Sequence, residues 1–129
     1  MLLVMTRVAP SPIAGLGLFA VEDIAAGQAV WRFQPGFDQL LDIAEVRRMP
    51  DAFRRFFDTY CYQSHDFPGR YVLSCDHAKF INHSDAPNLV SRGTTSVAAR
   101  AVAIGEEITC DYGAALNGWP GFDAPAVPT

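Results

Sequence analysis

Residues 80–88 read Phe80-Ile81-Asn82-His83-Ser84-Asp85-Ala86-Pro87-Asn88. An apolar run ends in an amide and an imidazole, and Ser-Asp-Ala-Pro-Asn then turns the chain. Polar groups gathered at a strand end favour a binding site, because the strand holds them while the loop exposes them. Taken alone, Asn82 reads equally well as a loop brace through side-chain to backbone bonds. A second such place is Cys110-Asp111-Tyr112-Gly113, where a tyrosine at a strand end can aim its hydroxyl into a cleft or park it on a carbonyl. Upstream, Gly15-Leu16-Gly17 offers a turn at which backbone can come close to a ligand, since glycine has no Cβ. A lone G-x-G is more often simply a tight turn, and this one lacks the spacing of a dinucleotide fingerprint.

The segments between these clusters are short. Leu3 to Val8, Leu16 to Ala20 and Ala29 to Phe33 read as strands, with Pro10, Pro12, Gly15, Gly27 and Pro35-Gly36 as punctuation. From residue 40 to about 62 the period becomes helical. Asp42 with Glu45 opens one helix and Pro50-Asp51 a second, in which Phe53, Phe56, Phe57 and Tyr60 recur at i, i+3, i+4 and i+7. That row predicts one buried aromatic face. Strands return at Tyr71 to Ser74, Leu89-Val90, Ser96 to Ala101 and Glu107 to Cys110. Ala98 to Ile108 reads as a hairpin turning at Gly105-Glu106. The tail, residues 114–129, carries three of the nine prolines and no period, as a covering flap or disordered segment would. The sum is a mainly β, α+β domain with a helical insertion.

The 129 residues fit one domain, and half of them are hydrophobic. Ten Lys and Arg against fourteen Asp and Glu give a net charge of -4 without a basic tract, so direct nucleic-acid or anionic-membrane binding is not expected. The apolar start, Met1 to Met5, lacks the features of a signal peptide, and no run reaches membrane-spanning length. Three cysteines without framework spacing read as reduced thiols, which points to the cytoplasm, with the nucleus also open.

In this order and spacing the clusters resemble the SET domain of protein-lysine methyltransferases. Ser11 to Ala20 is similar to the family's opening motif, Phe80 to Ser84 through Pro87-Asn88 to its central signature, and Glu106 to Gly113 to its closing one. The resemblance runs from about Arg7 to Gly113. It implies a SET domain over residues 1–113, built of small curved sheets, in which a C-terminal pseudoknot brings Asn82 and Tyr112 together. It also implies S-adenosyl-L-methionine as donor and a protein or peptide lysine as acceptor. Gly15, Leu16 and Gly17 would then offer backbone to the cofactor, with Asn82 and the His83 backbone at its two ends. Tyr112 would be catalytic, at the point of methyl transfer.

Several departures matter. The tail has no cysteine, so the family's zinc segment after the closing motif is absent, and Trp119 or Phe122 would either cover the adenine or simply pack against the core. Phe33 stands in the substrate channel where a tyrosine is frequent, and Tyr60 or Tyr62 is the alternative source of that hydroxyl. Cys110, a small residue where an aromatic often limits methylation, would leave room for more methyl groups. A non-catalytic partner-binding module is the main alternative, and dimerisation is expected if a peptide groove needs completing. Cys61, His65, Cys75, His77 and His83 match no common zinc spacing, so no metal is expected.

Overall fold

The computed structural model describes residues 1–112. Ten strands run in chain order: β1 (Thr6–Pro10), β2 (Leu16–Ala20), β3 (Ala29–Arg32), β4 (Gln39–Asp42), β5 (Tyr62–Gln63), β6 (Arg70–Leu73), β7 (Asn82–His83), β8 (Leu89–Arg92), β9 (Thr95–Ala98) and β10 (Glu107–Cys110). Helices α1 (Ile43–Val46) and α2 (Asp51–Tyr60) fall between β4 and β5, and a 3-10 turn covers His77–Phe80. The strands make three small sheets, ordered β1-β2-β10-β7, β3-β9-β8 and β4-β6-β5. The fold is therefore mainly β with few helices, as the sequence predicts.

The first sheet positions the site. β1 and β2 pair antiparallel across a loop in which Gly15 adopts φ 47°, a left-handed conformation that suits glycine. β10 then lies between β2, which it meets antiparallel, and β7, which it meets parallel. Three segments distant in sequence so become neighbours. Beneath them Leu18, Ile24, Val30, Leu89, Val102 and Ile108 form one buried apolar cluster. Asn88, 1% exposed, ties the turn after β7 to β10. Its Nδ2 donates to Glu107 O (2.8 Å) and its Oδ1 accepts from Thr109 N (2.8 Å), as a backbone rung would.

The structure corrects three local expectations. The hairpin of residues 98–108 does not form, because both edges of β9 are taken by β3 and β8, leaving none for β10. Its turn survives, with Gly105 at φ 86° and Glu106 N donating to Ala103 O (3.0 Å). Residues 40–42, expected to begin the helical stretch, instead belong to β4, which pairs with β6. Asp42 then caps α1 by accepting from Ala44 N (3.0 Å). The aromatic row of α2 is only partly core: Phe57 is 3% exposed, but Phe53 and Phe56 are 42% and 40% exposed. The reason is width. α2 rests on a three-stranded sheet, where Phe57 meets Tyr71 (ring centroids 6.0 Å), while Phe53 and Phe56 stack on Phe57 itself.

Phe57→Ala should therefore lower the unfolding free energy by roughly 3–5 kcal/mol, and Phe53→Ser by about 1 kcal/mol or less, in urea denaturation with an unchanged m value.

Candidate active site

In the parallel register of β7 with β10, Asn82 lies opposite Thr109 and His83 opposite Cys110. Asn82 is 4% exposed, and a buried amide must satisfy its polar atoms. Its Nδ2 faces three acceptors: Ala14 O (3.1 Å), Leu16 O (3.1 Å) and Glu107 Oε2 (3.0 Å). Two hydrogens shared among three oxygens fix the amide's orientation. Oδ1 then accepts nothing among the described residues. Asn82 thus braces the opening loop, the reading of this residue that its contacts bear out.

Glu107 is the site residue the sequence reading missed. Its carboxylate also takes the Ser11 hydroxyl, at 2.8 Å to Oε1. An added Cβ at Gly17 would lie 2.5 Å from Glu107 Oε2 and 3.0 Å from Ser11 Cβ. Gly17 is therefore needed to make room for Glu107, whereas Gly15 has open space where a side chain would be. The signal was in the register. Glu107 pairs with Phe19, which puts it diagonal to Gly17 on one face of the sheet.

Tyr112 is held at two points on either side of Asn82. Its hydroxyl donates to Ile81 O (2.5 Å), and its backbone N–H donates to His83 Nδ1 (3.1 Å). Since Nδ1 accepts there, the ring proton sits on Nε2, which meets Asp85 Oδ1 at 3.0 Å. Burial, followed by the Cys110 field, pushes the Tyr112 phenol well above its ordinary range. Burial and then Asp111 push the Cys110 thiol up to about 12. Both groups are neutral at physiological pH.

The other predicted residues divide. Leu16 contributes its carbonyl to Asn82 while its side chain is exposed. Phe33 packs on Phe67 (4.8 Å) and joins the Trp31, Val72 and Ala78 cluster, which Ile81 also touches. Tyr60 stacks on Phe56 and Phe80. Tyr62 meets Trp31 edge-on, and its hydroxyl is pushed up by burial, then by Asp38 and Cys110. Trp119 and Phe122 lie outside the described residues. Among the described residues no three His, Cys, Asp or Glu side chains come together in a way that could hold a metal ion.

Comparison with known families gives a match to the SET domain over residues 15–113, well over half of the chain. The chain belongs to the SET-domain family. No curated protein matches the sequence significantly. Solved structures similar to this SET domain include the Chaetomium thermophilum polycomb repressive complex 2, at 25% identity and TM-score 0.68, covering 92% of this chain and 16% of that one. An autoinhibited form of that complex, bound to S-adenosylmethionine, aligns at 22% identity and TM-score 0.66, covering 87% of this chain and 15% of that one. A Plasmodium falciparum protein described as a candidate histone methyltransferase aligns at 20% identity and TM-score 0.61, covering 90% of this chain and 96% of that one. The chain thus spans only about a sixth of the polycomb chains it resembles.

If Glu107 fills the space over residue 17, Gly17→Ala should cost roughly 1–3 kcal/mol by overpacking, and at least about 1 kcal/mol less in a Glu107→Ala background. Strictly additive costs in thermal or urea unfolding would contradict that geometry.

Proposed function

We propose that this SET domain is a protein-lysine N-methyltransferase that uses S-adenosylmethionine. The observation that carries the reading is the two-point fixation of Tyr112 beside Asn82, whose Oδ1 is left to accept from a ligand. The residues present suit that donor. Asn82 Oδ1 is matched to its ammonium group, and the open backbone at Gly15 and the His83 backbone are available to the rest. When bound, the cofactor would supply an electrophilic methyl carbon on a sulfonium, open to in-line attack by a neutral amine with the thioether as leaving group.

The chain's own groups prepare the acceptor. A free lysine has a pKa of ~10.4, so the amine must lose its proton before it can attack. A desolvated channel favours the neutral amine, whereas an anion beside it would favour the ammonium. Cys110 and Tyr112 stay protonated and supply no such anion. The Tyr112 hydroxyl, donating to Ile81 O, turns its lone pairs to the other side, where they orient the acceptor amine. Alignment of this kind is worth up to roughly 7–11 kcal/mol, so no acid-base dyad is required. Tyr60 is stacked on Phe56 and Phe80, which leaves Tyr62 as the candidate for the hydroxyl that Phe33 lacks. Phe33, packed on Phe67, is the one feature that favours a non-catalytic binding module instead.

Incubated with labelled cofactor and a cell extract, the wild type should transfer label to protein lysines, and Tyr112→Phe should lower the rate roughly 100-fold. Cys110→Phe should shift products toward fewer methyl groups in mass spectra. Because both raised pKa values lie above the working range, kcat/KM should rise with pH and level off, with no descending limb below about pH 10. No transfer by folded wild type, or full activity in Tyr112→Phe, would overturn the assignment.

A further inference from the structure

The hydrogen bond between the Tyr112 N–H and the His83 ring has no counterpart in a regular strand pair. β7 and β10 run parallel to Cys110, where Ser84 N still donates to Cys110 O (2.9 Å). Beyond that point the chains part, because Ser84 begins a turn in which Ala86 N donates to Ser84 Oγ (3.1 Å). Tyr112 N–H would lose its acceptor there, and a buried amide without one costs roughly 1–3 kcal/mol. His83 Nδ1 takes the place of the missing carbonyl.

We propose that the His83 imidazole is a positioning residue that holds Tyr112 in register only while the ring is neutral, which makes the site sensitive to pH. The proposal rests on the methyl-transfer reading for its consequence, not for its geometry. Two carboxylates face the ring: Asp85 Oδ1 at 3.0 Å from Nε2, and Asp111 Oδ1 at 3.7 Å from Nδ1. The other titratable groups packed here are the Tyr112 phenol, whose ring centroid is 5.4 Å away, and the Cys110 thiol opposite in the ladder; both stay neutral. With one proton, Nε2–H donates to Asp85 and Nδ1 receives Tyr112 N–H. A second proton converts Nδ1 into a donor, repels that N–H and draws the ring toward Asp111. Tyr112 then keeps only its hydroxyl anchor on Ile81 O, and the phenol tilts out of line.

Asparagine separates this role from simple packing, because its Oδ1 occupies nearly the position of a histidine Nδ1 but takes up no proton. The amide exchange of Tyr112, read by NMR and corrected for intrinsic rate, should be protected in wild type near neutral pH and in His83→Asn. It should be unprotected in His83→Ala and in acidified wild type. In turnover, His83→Ala should lose kcat at least about tenfold, while His83→Asn stays within about threefold. The acid limb of log kcat should be steeper by one proton in wild type than in His83→Asn. Equal Tyr112 protection in wild type and His83→Ala, or superimposable pH profiles of wild type and His83→Asn, would overturn the proposal. Expected amide protection in a wild type that transfers no methyl would leave the positioning role standing and remove the enzyme reading instead.

Discussion

The site depends on where β10 finds its hydrogen-bond partners. Four residues, Glu107–Cys110, have β2 on one side and β7 on the other, and both of those strands come from much earlier in the chain. Backbone polar groups buried in a core must be paired, so a strand placed here cannot slip without orphaning several of them. Asn88 reinforces the register by bonding both the carbonyl of Glu107 and the amide of Thr109. Glu107, Cys110 and Tyr112 are all placed by this one insertion. Glu107 reaches Asn82 and Ser11, Cys110 lies against His83, and Tyr112 is delivered to Ile81 and His83.

Within that frame a single carboxylate organises the opening loop. Glu107 accepts from Ser11 and Asn82 and lies over the bare backbone of Gly17. The three motifs are therefore joined by side-chain chemistry as well as by strand pairing. The same network decides what Asn82 can offer, since among the described residues its nitrogen has partners and its oxygen has none. This part-buried carboxylate accepts at both oxygens, from Ser11 and from Asn82, and such pairing is what lets a carboxylate sit inside a fold.

Much of this was legible before any coordinates. The short strands and the helices opened by Asp42 and Pro50-Asp51 follow from local rules of turn residues, caps and period, whereas the joint pattern at Gly15, Asn82 and Tyr112 is legible only as a resemblance to the SET family. What was not legible depends on neighbours that no local rule can see. Phe53 and Phe56 carry the helical period of a core face, yet only Phe57 is buried, because the width of the opposing sheet is a tertiary property. Ala98 to Ile108 has hairpin grammar, but the edges of β9 are already filled. Gly17 looked like an approach for a ligand, whereas the group that approaches it is Glu107, ninety residues downstream. The sequence assigns a place only to the His83 backbone, since the ring's partner, the Tyr112 amide, is set by the strand insertion.

Calorimetric titration of the purified chain with S-adenosylmethionine reads directly, and without a substrate, whether these groups form a cofactor site. A cofactor site gives saturable heat at one site per chain, with a Kd below about 1 mM, and a much weaker signal in folded Asn82→Ala. Flat heat from folded wild-type protein at millimolar cofactor would contradict it.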